Sequence, residues 1–389
     1  MTSTNTAGKK PKVAVIVTEY RFNSHADVIL GRLLGHYGYS PRIEVVSLYT
    51  DQVPDNDMSR EEARKKGIPI YPTIAEAITE PHNKDGIDGV IIIGEHGDYP
   101  VNEKKQKQYP RFRLLNEVLQ TLSDLQRNVP VFSDKHLSYD FREAVLLYER
   151  LKQQEIPFMG GSSIPFVEQV PSYDPGLLRQ VKEILVVSFS IGIEAYGYHG
   201  LEVLQSLAEQ RESDETGVRS INARMGESVW EAADRQEWPE DLMLEALRTY
   251  PDVSLEKLRE KEPAPVLFEI DYEDGTKGYV VHFLELVQQW GFAFRTVEGT
   301  TAAARCNSEL ERPFGHFETF TRLIEEFILT RKPPFPMERT LMTTGMIDLA
   351  MESLYLGKRL ETPELSIHYG KGNGRDTCQA GREEGKDGR

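Results

Sequence analysis

The N-terminal part of the chain alternates short apolar runs with amphipathic segments, and this alternation restricts the fold more than any other feature. Residues 13–17 form an apolar run, followed by a polar turn at residues 18–25 and then by apolar residues at helical spacing. Residues 89–94 are apolar throughout, as is typical of parallel strands covered on both faces. We therefore predict an α/β fold with a Rossmann-like doubly wound parallel sheet over residues 1–158.

From residue 160 the pattern changes to glycine, serine and proline, and then to a long apolar segment at residues 181–191. Alternating segments on either side of Asp274-Gly275 predict a β-hairpin. We expect residues 159–369 to form a C-terminal α/β domain with a largely antiparallel open sheet. An uncovered apolar sheet face is usually buried against a partner, so we predict a homo-oligomer, a dimer or tetramer. Residues 370–389 are glycine-rich and charged, which predicts a disordered tail.

Composition restricts the class of partner. The chain has 62 acidic and 46 basic residues and a net charge of −16, which argues against a nucleic-acid or anionic-membrane surface and leaves a small molecule. Two distant cysteines give neither a disulfide framework nor a cysteine-based zinc site. No apolar run reaches the roughly 20 residues that span a bilayer, and the N-terminus lacks the apolar core of a signal peptide. We expect a cytoplasmic protein.

The turn after the first apolar run has the layout of a nucleotide site without its glycines. Where G-x-G-x-x-G would bind a pyrophosphate at the helix N-terminus, the chain has Val17, Glu19 and Phe22. Glu19 would repel phosphate, whereas Arg21 would offset that charge, and nearby polar side chains would donate hydrogen bonds or cap the helix. The candidate cofactor contacts here and at two further strand ends are Thr18, Glu19, Arg21, Asn23, Ser24, Asp51, Gly94 and Glu95.

Several segments occur in the order known from one enzyme family. Residues 68–78 and 86–92 resemble its segments around the second and third strands, and Lys135 falls on the lysine of its E-K-P motif, with His136 in place of proline. Residues 194–202 are similar to its D-x-G-x-H-x-x-D segment, with His199 on the histidine, Glu in place of both Asp, and spacing that differs by one residue. The chain thus resembles the glucose-fructose oxidoreductase, inositol dehydrogenase and MocA (Gfo/Idh/MocA) family over nearly its whole length.

This resemblance implies an oxidoreductase that acts on a sugar, polyol or sugar derivative by hydride transfer with NAD or NADP. It also implies that residues 159–369 form the domain that binds the substrate. Lys135 would lie at the reacting hydroxyl and His199 would be the acid/base group, oriented by Glu194 or Glu202. The structural alternative is that His199 caps a helix and Glu202 is an exposed acid of an amphipathic surface.

A second set of residues predicts different chemistry. The first, fourth and fifth predicted strands are neighbours, and His25, His96 and His136 follow their carboxyl ends, with Glu95 and Asp134 close by. If these side chains converge, they would form a His/carboxylate site for a divalent metal. The protein would then be a metal-dependent lyase, hydrolase or isomerase that acts on a carbohydrate. Alternatively, His25 is an ordinary residue of a first helical turn and His136 a loop residue. A third hypothesis is a non-catalytic binding protein.

Overall fold

The computed structural model describes residues 9–80, 86–309 and 311–370. Its N-terminal half contains a five-stranded sheet in the order β2-β1-β3-β4-β5, in which every pairing is parallel. The strands are β1 (Lys12–Val17), β2 (Glu44–Thr50), β3 (Gly89–Ile93), β4 (Val131–Asp134) and β5 (Phe158–Gly161). The predicted Rossmann-like sheet is confirmed, and the parallel sheet extends three residues past the predicted boundary at 158.

Five helices cover this sheet: α1 (His25–Leu33), α2 (Ser59–Lys66), α3 (Ile74–Thr79), α4 (Arg111–Asp124) and α5 (Phe141–Gln153). Local signals set their ends. The Ser24 side chain caps α1 by accepting from the Asp27 amide, and Gly67 ends α2 with a φ of +67° that favours glycine. Residues 68–71, which follow α2, form an isolated parallel bridge between Leu48 and Ile70.

The second sheet has eight strands in the order β13-β8-β9-β10-β7-β11-β12-β6, antiparallel except between β10 and β7. The strands are β6 (Gln169–Val170), β7 (Val181–Ser188), β8 (Val218–Met225), β9 (Val266–Tyr272), β10 (Lys277–His282), β11 (Gly291–Thr296), β12 (Thr301–Cys306) and β13 (Leu360–Glu361). The predicted hairpin at Asp274-Gly275 joins β9 and β10. The predicted two-part architecture is therefore confirmed, and the tail at 371–389 lies outside the described residues.

Five helices accompany the second sheet: α6 (Ile193–Ala208), α7 (Glu227–Asp234), α8 (Glu240–Leu247), α9 (Leu258–Lys261) and α11 (Met337–Leu356). Helix α10 (His316–Thr330) instead packs beside α1 on the parallel sheet, in one apolar core with β1 and β3. One face of the second sheet packs against α6 and α11. The other face packs against α7, α8 and α9, where Trp230 and Trp238 are buried against sheet residues such as Val187 and Val281. Both faces of the sheet are therefore covered within one chain. The dimer or tetramer was predicted from an uncovered apolar face of this sheet, and the described residues show no such face. Oligomerisation therefore stays a prediction.

Helix α11 joins the two halves. The Thr340 hydroxyl donates to the carbonyl of Gly160 at the end of β5, and the Asp348 carboxylate accepts from the first amide of α5. These buried bonds fix the carboxyl edge of the parallel sheet against the second domain. Among the described residues, no helix is both long and apolar enough to cross a membrane.

Candidate functional site

Polar side chains converge where β1, β3, β4 and β5 end at the same edge of the parallel sheet. Strand β4 pairs with β5 so that Asp134 lies opposite Gly161, which places the next residues, Lys135 and Ser162, side by side. The Thr18 hydroxyl after β1 donates to the carbonyl of Glu95 after β3 over 2.7 Å. Because parallel strands end at one edge, four separate segments thus contribute to a single site, at the usual ligand position of such sheets.

Lys135 is buried in an ion-pair network. Its Nζ lies 3.2 Å from Glu95 Oε1, and Arg111 Nη2 lies 2.7 Å from Glu95 Oε2. Burial alone would favour the neutral carboxyl, but the charges of Lys135 and Arg111 outweigh it and hold the pKa of Glu95 well below its usual range. Gly94 leaves room for this network, since a Cβ there would lie 2.9 Å from Arg111 Cγ.

His25, the first residue of α1, is fixed by Asp134. Its Nδ1 lies 2.6 Å from Asp134 Oδ2, and the other oxygen of that carboxylate accepts from the Lys135 amide over 2.9 Å. The His25 ring packs edge-on against His96 and Phe317, with centroids 5.2 and 5.1 Å away. The His25 side chain is 16% exposed, whereas that of Asp134 is 2% exposed. The imidazole therefore faces the open side of the site, and the carboxylate lies behind it.

The two other histidines of the predicted metal site differ in position. Burial first, and the neighbouring charge of His25 second, lower the pKa of His96 to about 4, while Arg21 Nη2 lies 3.3 Å from its Nδ1. His136 faces elsewhere: its Nε2 lies 3.4 Å from Arg111 Nη1 and 3.6 Å from Glu194 Oε1. Among the described residues, the group with ligand atoms close together is instead His25, Glu95 and Asp134, within 4.8 Å of one another.

His199, on α6, reaches the same edge from the second domain. Its Nδ1 lies 2.5 Å from Ser162 Oγ, which also accepts from the Ile164 amide, and its ring packs against Trp290 at 4.8 Å. Burial lowers the pKa of His199 well below its usual range, and the charges of Lys135 and His25 act in the same direction. These charges place Lys135, His25 and His199 within electrostatic reach of one another.

The predicted acids near His199 have other contacts. Glu202 accepts from the Ser162 amide over 3.2 Å and from the Thr343 hydroxyl, and burial raises its pKa. Glu194 accepts from the Lys107 amide over 2.8 Å, and burial raises its pKa to about 7. Within the described residues, Ser162 is the side chain that holds the His199 ring. The sequence signal for it was the Gly160-Gly161-Ser162 segment, whose Gly161 has a φ of +123° and approaches Glu202 closely.

The turn after β1 is occupied by protein contacts. Glu19 is buried and pairs with Arg21 at 2.6 Å, and Ser24 spends its side chain on the helix cap. Arg312, from the segment before α10, lies over the turn: it binds the buried Asp27 at 2.5 Å and stacks on Phe22 at 4.2 Å. Arg312 also donates to the side-chain oxygen of Asn23 over 2.7 Å.

Asp51, the candidate ribose contact after β2, is likewise engaged. Its two carboxylate oxygens accept from the hydroxyls of Tyr49 and Tyr99, each over 2.7 Å, and one of them also binds Arg113. Burial would raise the pKa of Asp51, but these hydrogen bonds outweigh it and lower the value.

Solved structures share this fold over most of the chain. Myo-inositol 2-dehydrogenase from Lactobacillus plantarum aligns with a TM-score of 0.58 at 12% identity, covering 91% of this chain and 99% of that one. A myo-inositol dehydrogenase from Corynebacterium glutamicum aligns at 0.55 and 12%, with 91% and 99% covered. GenD2 from gentamicin A biosynthesis, solved in complex with NAD, aligns at 0.56 and 13%, with 91% and 96% covered. The chain has the two-domain Gfo/Idh/MocA fold. No family model and no curated protein matches its sequence.

The residues of this chain do not fit a dinucleotide held in the way that a glycine-rich turn holds it. A pyrophosphate needs close approach to free amides in a positive field at the helix N-terminus. Here that position carries the buried acids Glu19 and Asp27, and Arg312 is already paired there. The side chains of Ser24 and Asp51 also already form hydrogen bonds within the protein. A nucleotide would have to displace these interactions.

Proposed function

We propose that this chain is an enzyme that transfers protons at a hydroxyl-bearing carbon of a sugar, polyol or related molecule, with Lys135 and His199 as the reacting groups. One observation carries the proposal: the register of β4 and β5 sets Lys135 beside Ser162, and Ser162 holds His199 from the other domain. Two buried groups of different chemistry, each fixed by its own partner, are therefore directed at the same edge. Such preorganisation is what proton transfer in an enzyme requires.

The two groups have different roles. The Lys135 ammonium, held by Glu95, supplies positive charge and hydrogen-bond donors to an oxygen that becomes negative during the reaction. His199 is neutral near pH 7 because burial disfavours its charged form, so its ring is ready to accept a proton. When Ser162 accepts from Nδ1–H, the lone pair that a base needs lies on Nε2.

Two reaction classes share this proton transfer. Oxidation with NAD or NADP is supported by the fold, because inositol dehydrogenases and a structure in complex with NAD align over nine-tenths of the chain. The turn at residues 18–25 supports the other class, in which no hydride leaves the substrate and no nucleotide is needed. We favour the second class, because Glu19, Asp27 and Asp51 already form contacts within the protein at the positions where a dinucleotide usually binds.

Lys135→Met and His199→Asn test the proposal, with the exposed Lys182→Met and His368→Asn as matched controls. Each variant and the native chain are incubated with inositols, aldoses, ketoses and keto-inositols, with and without NAD(P). Turnover is followed by NMR and by nicotinamide absorbance. The two site variants should lose at least about 10²-fold in rate, the usual contribution of a proton-transfer group, and the controls should not. Unchanged turnover in both site variants would refute the roles of Lys135 and His199, and no turnover of any of these compounds by the native chain would favour a binding protein.

A further inference from the structure

We infer that His25, oriented by Asp134, is a second proton-transfer residue, and that the site moves a proton between neighbouring carbons of a sugar with a carbonyl group. This rests on the proposed function and specifies its reaction as isomerisation. The turn that binds a dinucleotide elsewhere would then contain an acid/base group of the protein itself.

The His25–Asp134 contact has the geometry of an oriented catalytic imidazole. Asp134 Oδ2 lies 2.6 Å from Nδ1, and the Asp134 carboxylate cannot rotate away because its Oδ1 accepts from the Lys135 amide. A carboxylate accepts hydrogen bonds, so Nδ1 carries the proton and Nε2 carries the lone pair. The role of Asp134 is positioning, as in the carboxylate–imidazole pairs of other enzymes.

The surroundings place this imidazole beside the other reacting groups. Side-chain atoms of His25, Glu95 and Asp134 lie within 4.8 Å of one another, and Glu95 binds Lys135 Nζ at 3.2 Å. The His25 side chain is the more exposed member of its pair, so Nε2 is on the side from which a substrate would approach. Phe317 and His96 pack against the ring and restrict its rotation.

The same atoms raise the question of a metal, since His25, Glu95 and Asp134 lie within 4.8 Å of one another. The charges argue against one. Lys135 and Arg111 already bind the two oxygens of Glu95, so its charge is compensated by the protein. A divalent cation would add two positive charges beside that lysine and arginine, which is costly in a buried site.

The proposed reaction balances within one substrate molecule. His25 Nε2 removes the proton from the carbon next to the carbonyl, and the electron pair of that C–H bond forms a C=C bond as the carbonyl oxygen becomes an oxyanion. Lys135 stabilises this enediolate. His25 returns the proton to the former carbonyl carbon, and His199 moves the hydroxyl proton from one oxygen to the other. One carbon is oxidised and its neighbour reduced, so no external oxidant or nucleotide takes part.

The test is nucleotide-free exchange of carbon-bound hydrogen in D₂O, with the full chain and with D-glucose, D-fructose and 2-keto-myo-inositol as probes. Loss of the ¹H signal next to the carbonyl should occur with the native chain and with His368→Asn. It should fall by about 10²-fold or more in His25→Asn, whose amide retains a donor to Asp134. No exchange with any probe, or exchange that depends on an added divalent ion, would overturn the inference.

Two further results separate this inference from the proposed function. If Lys135→Met and His199→Asn lose activity while His25→Asn retains it, the inference fails and the proposed function stands. If only His25→Asn loses activity, the proposed function fails instead. Without any substrate, ¹⁵N NMR of the neutral His25 ring should show the tautomer with the proton on Nδ1, and the opposite tautomer would contradict the geometry.

Discussion

Replacement of Glu194 by glutamine should make the protein more stable at pH 8 and leave it unchanged at pH 4.5. Burial raises the pKa of this carboxyl from 4.5 to about 7, so the folded state binds the proton more tightly than the unfolded state. The stability that this proton contributes is complete below pH 4.5 and is lost as the pH rises through about 7. At about 1.36 kcal/mol for each pH unit, the loss amounts to about 3 kcal/mol.

The assay is urea denaturation at intervals from pH 4.5 to pH 8.5, with the exposed Glu256→Gln as the matched control. His199 also affects the pH dependence, since burial lowers its pKa, but it has no direct contact with Glu194 among those described and acts in both proteins. The difference between the two curves therefore reports Glu194 together with its contact to His136, 3.6 Å away. Glutamine keeps the oxygen that accepts from the Lys107 amide. Parallel curves for Glu194→Gln and native protein would refute the reasoning.

Two other predictions concern packing. Gly161→Ala should destabilise the chain by about 2 kcal/mol or more in urea denaturation, because the position combines a left-handed φ of +123° with a Cβ 2.7 Å from Glu202 Oε2. The control is Gly226→Ala, which has a φ of +74° but open space around its Cβ and should destabilise the chain less. Trp238→Ala should cost about 3–5 kcal/mol and promote self-association by loosening the cover of the second sheet. By light scattering the variant should have a larger mean mass than the native chain at the same concentration, and an unchanged mass would contradict the role given to that cover.

The periodicity of the sequence was sufficient for the fold. Runs such as residues 89–94 have no polar face, so they predict central parallel strands, and β3 lies at the centre of its sheet. The parallel pairing of β10 with β7 was beyond such reasoning, because strand order in a mixed sheet depends on contacts between distant segments. The cover formed by α7 to α9 was also missed. Nothing in the local sequence shows that Trp230 and Trp238 bury a sheet face.

The candidate site was predictable in part for the same reason. Strand ends can be located along the sequence, so His25, Glu95 and Asp134 were identified as neighbours at one edge of the sheet, whereas Lys135 was identified through the family resemblance. The direction in which each side chain points could not be predicted, because it depends on partners that are distant in the sequence. His136 lies toward Arg111 and Glu194 rather than toward His25 and His96. The sequence did not indicate a role for Ser162 in the site, because a serine after two glycines is most often part of a turn.

We propose that the turn after β1 is part of an acid/base site formed by the protein and does not bind a nucleotide. Calorimetric titration of the native chain with NAD⁺, NADH, NADP⁺ and NADPH up to millimolar concentration tests it most directly. The buried Glu19 and the Arg312–Asp27 pair predict no binding of any of the four. Stoichiometric binding of one of them at micromolar concentration would contradict the claim and establish oxidation as the reaction class.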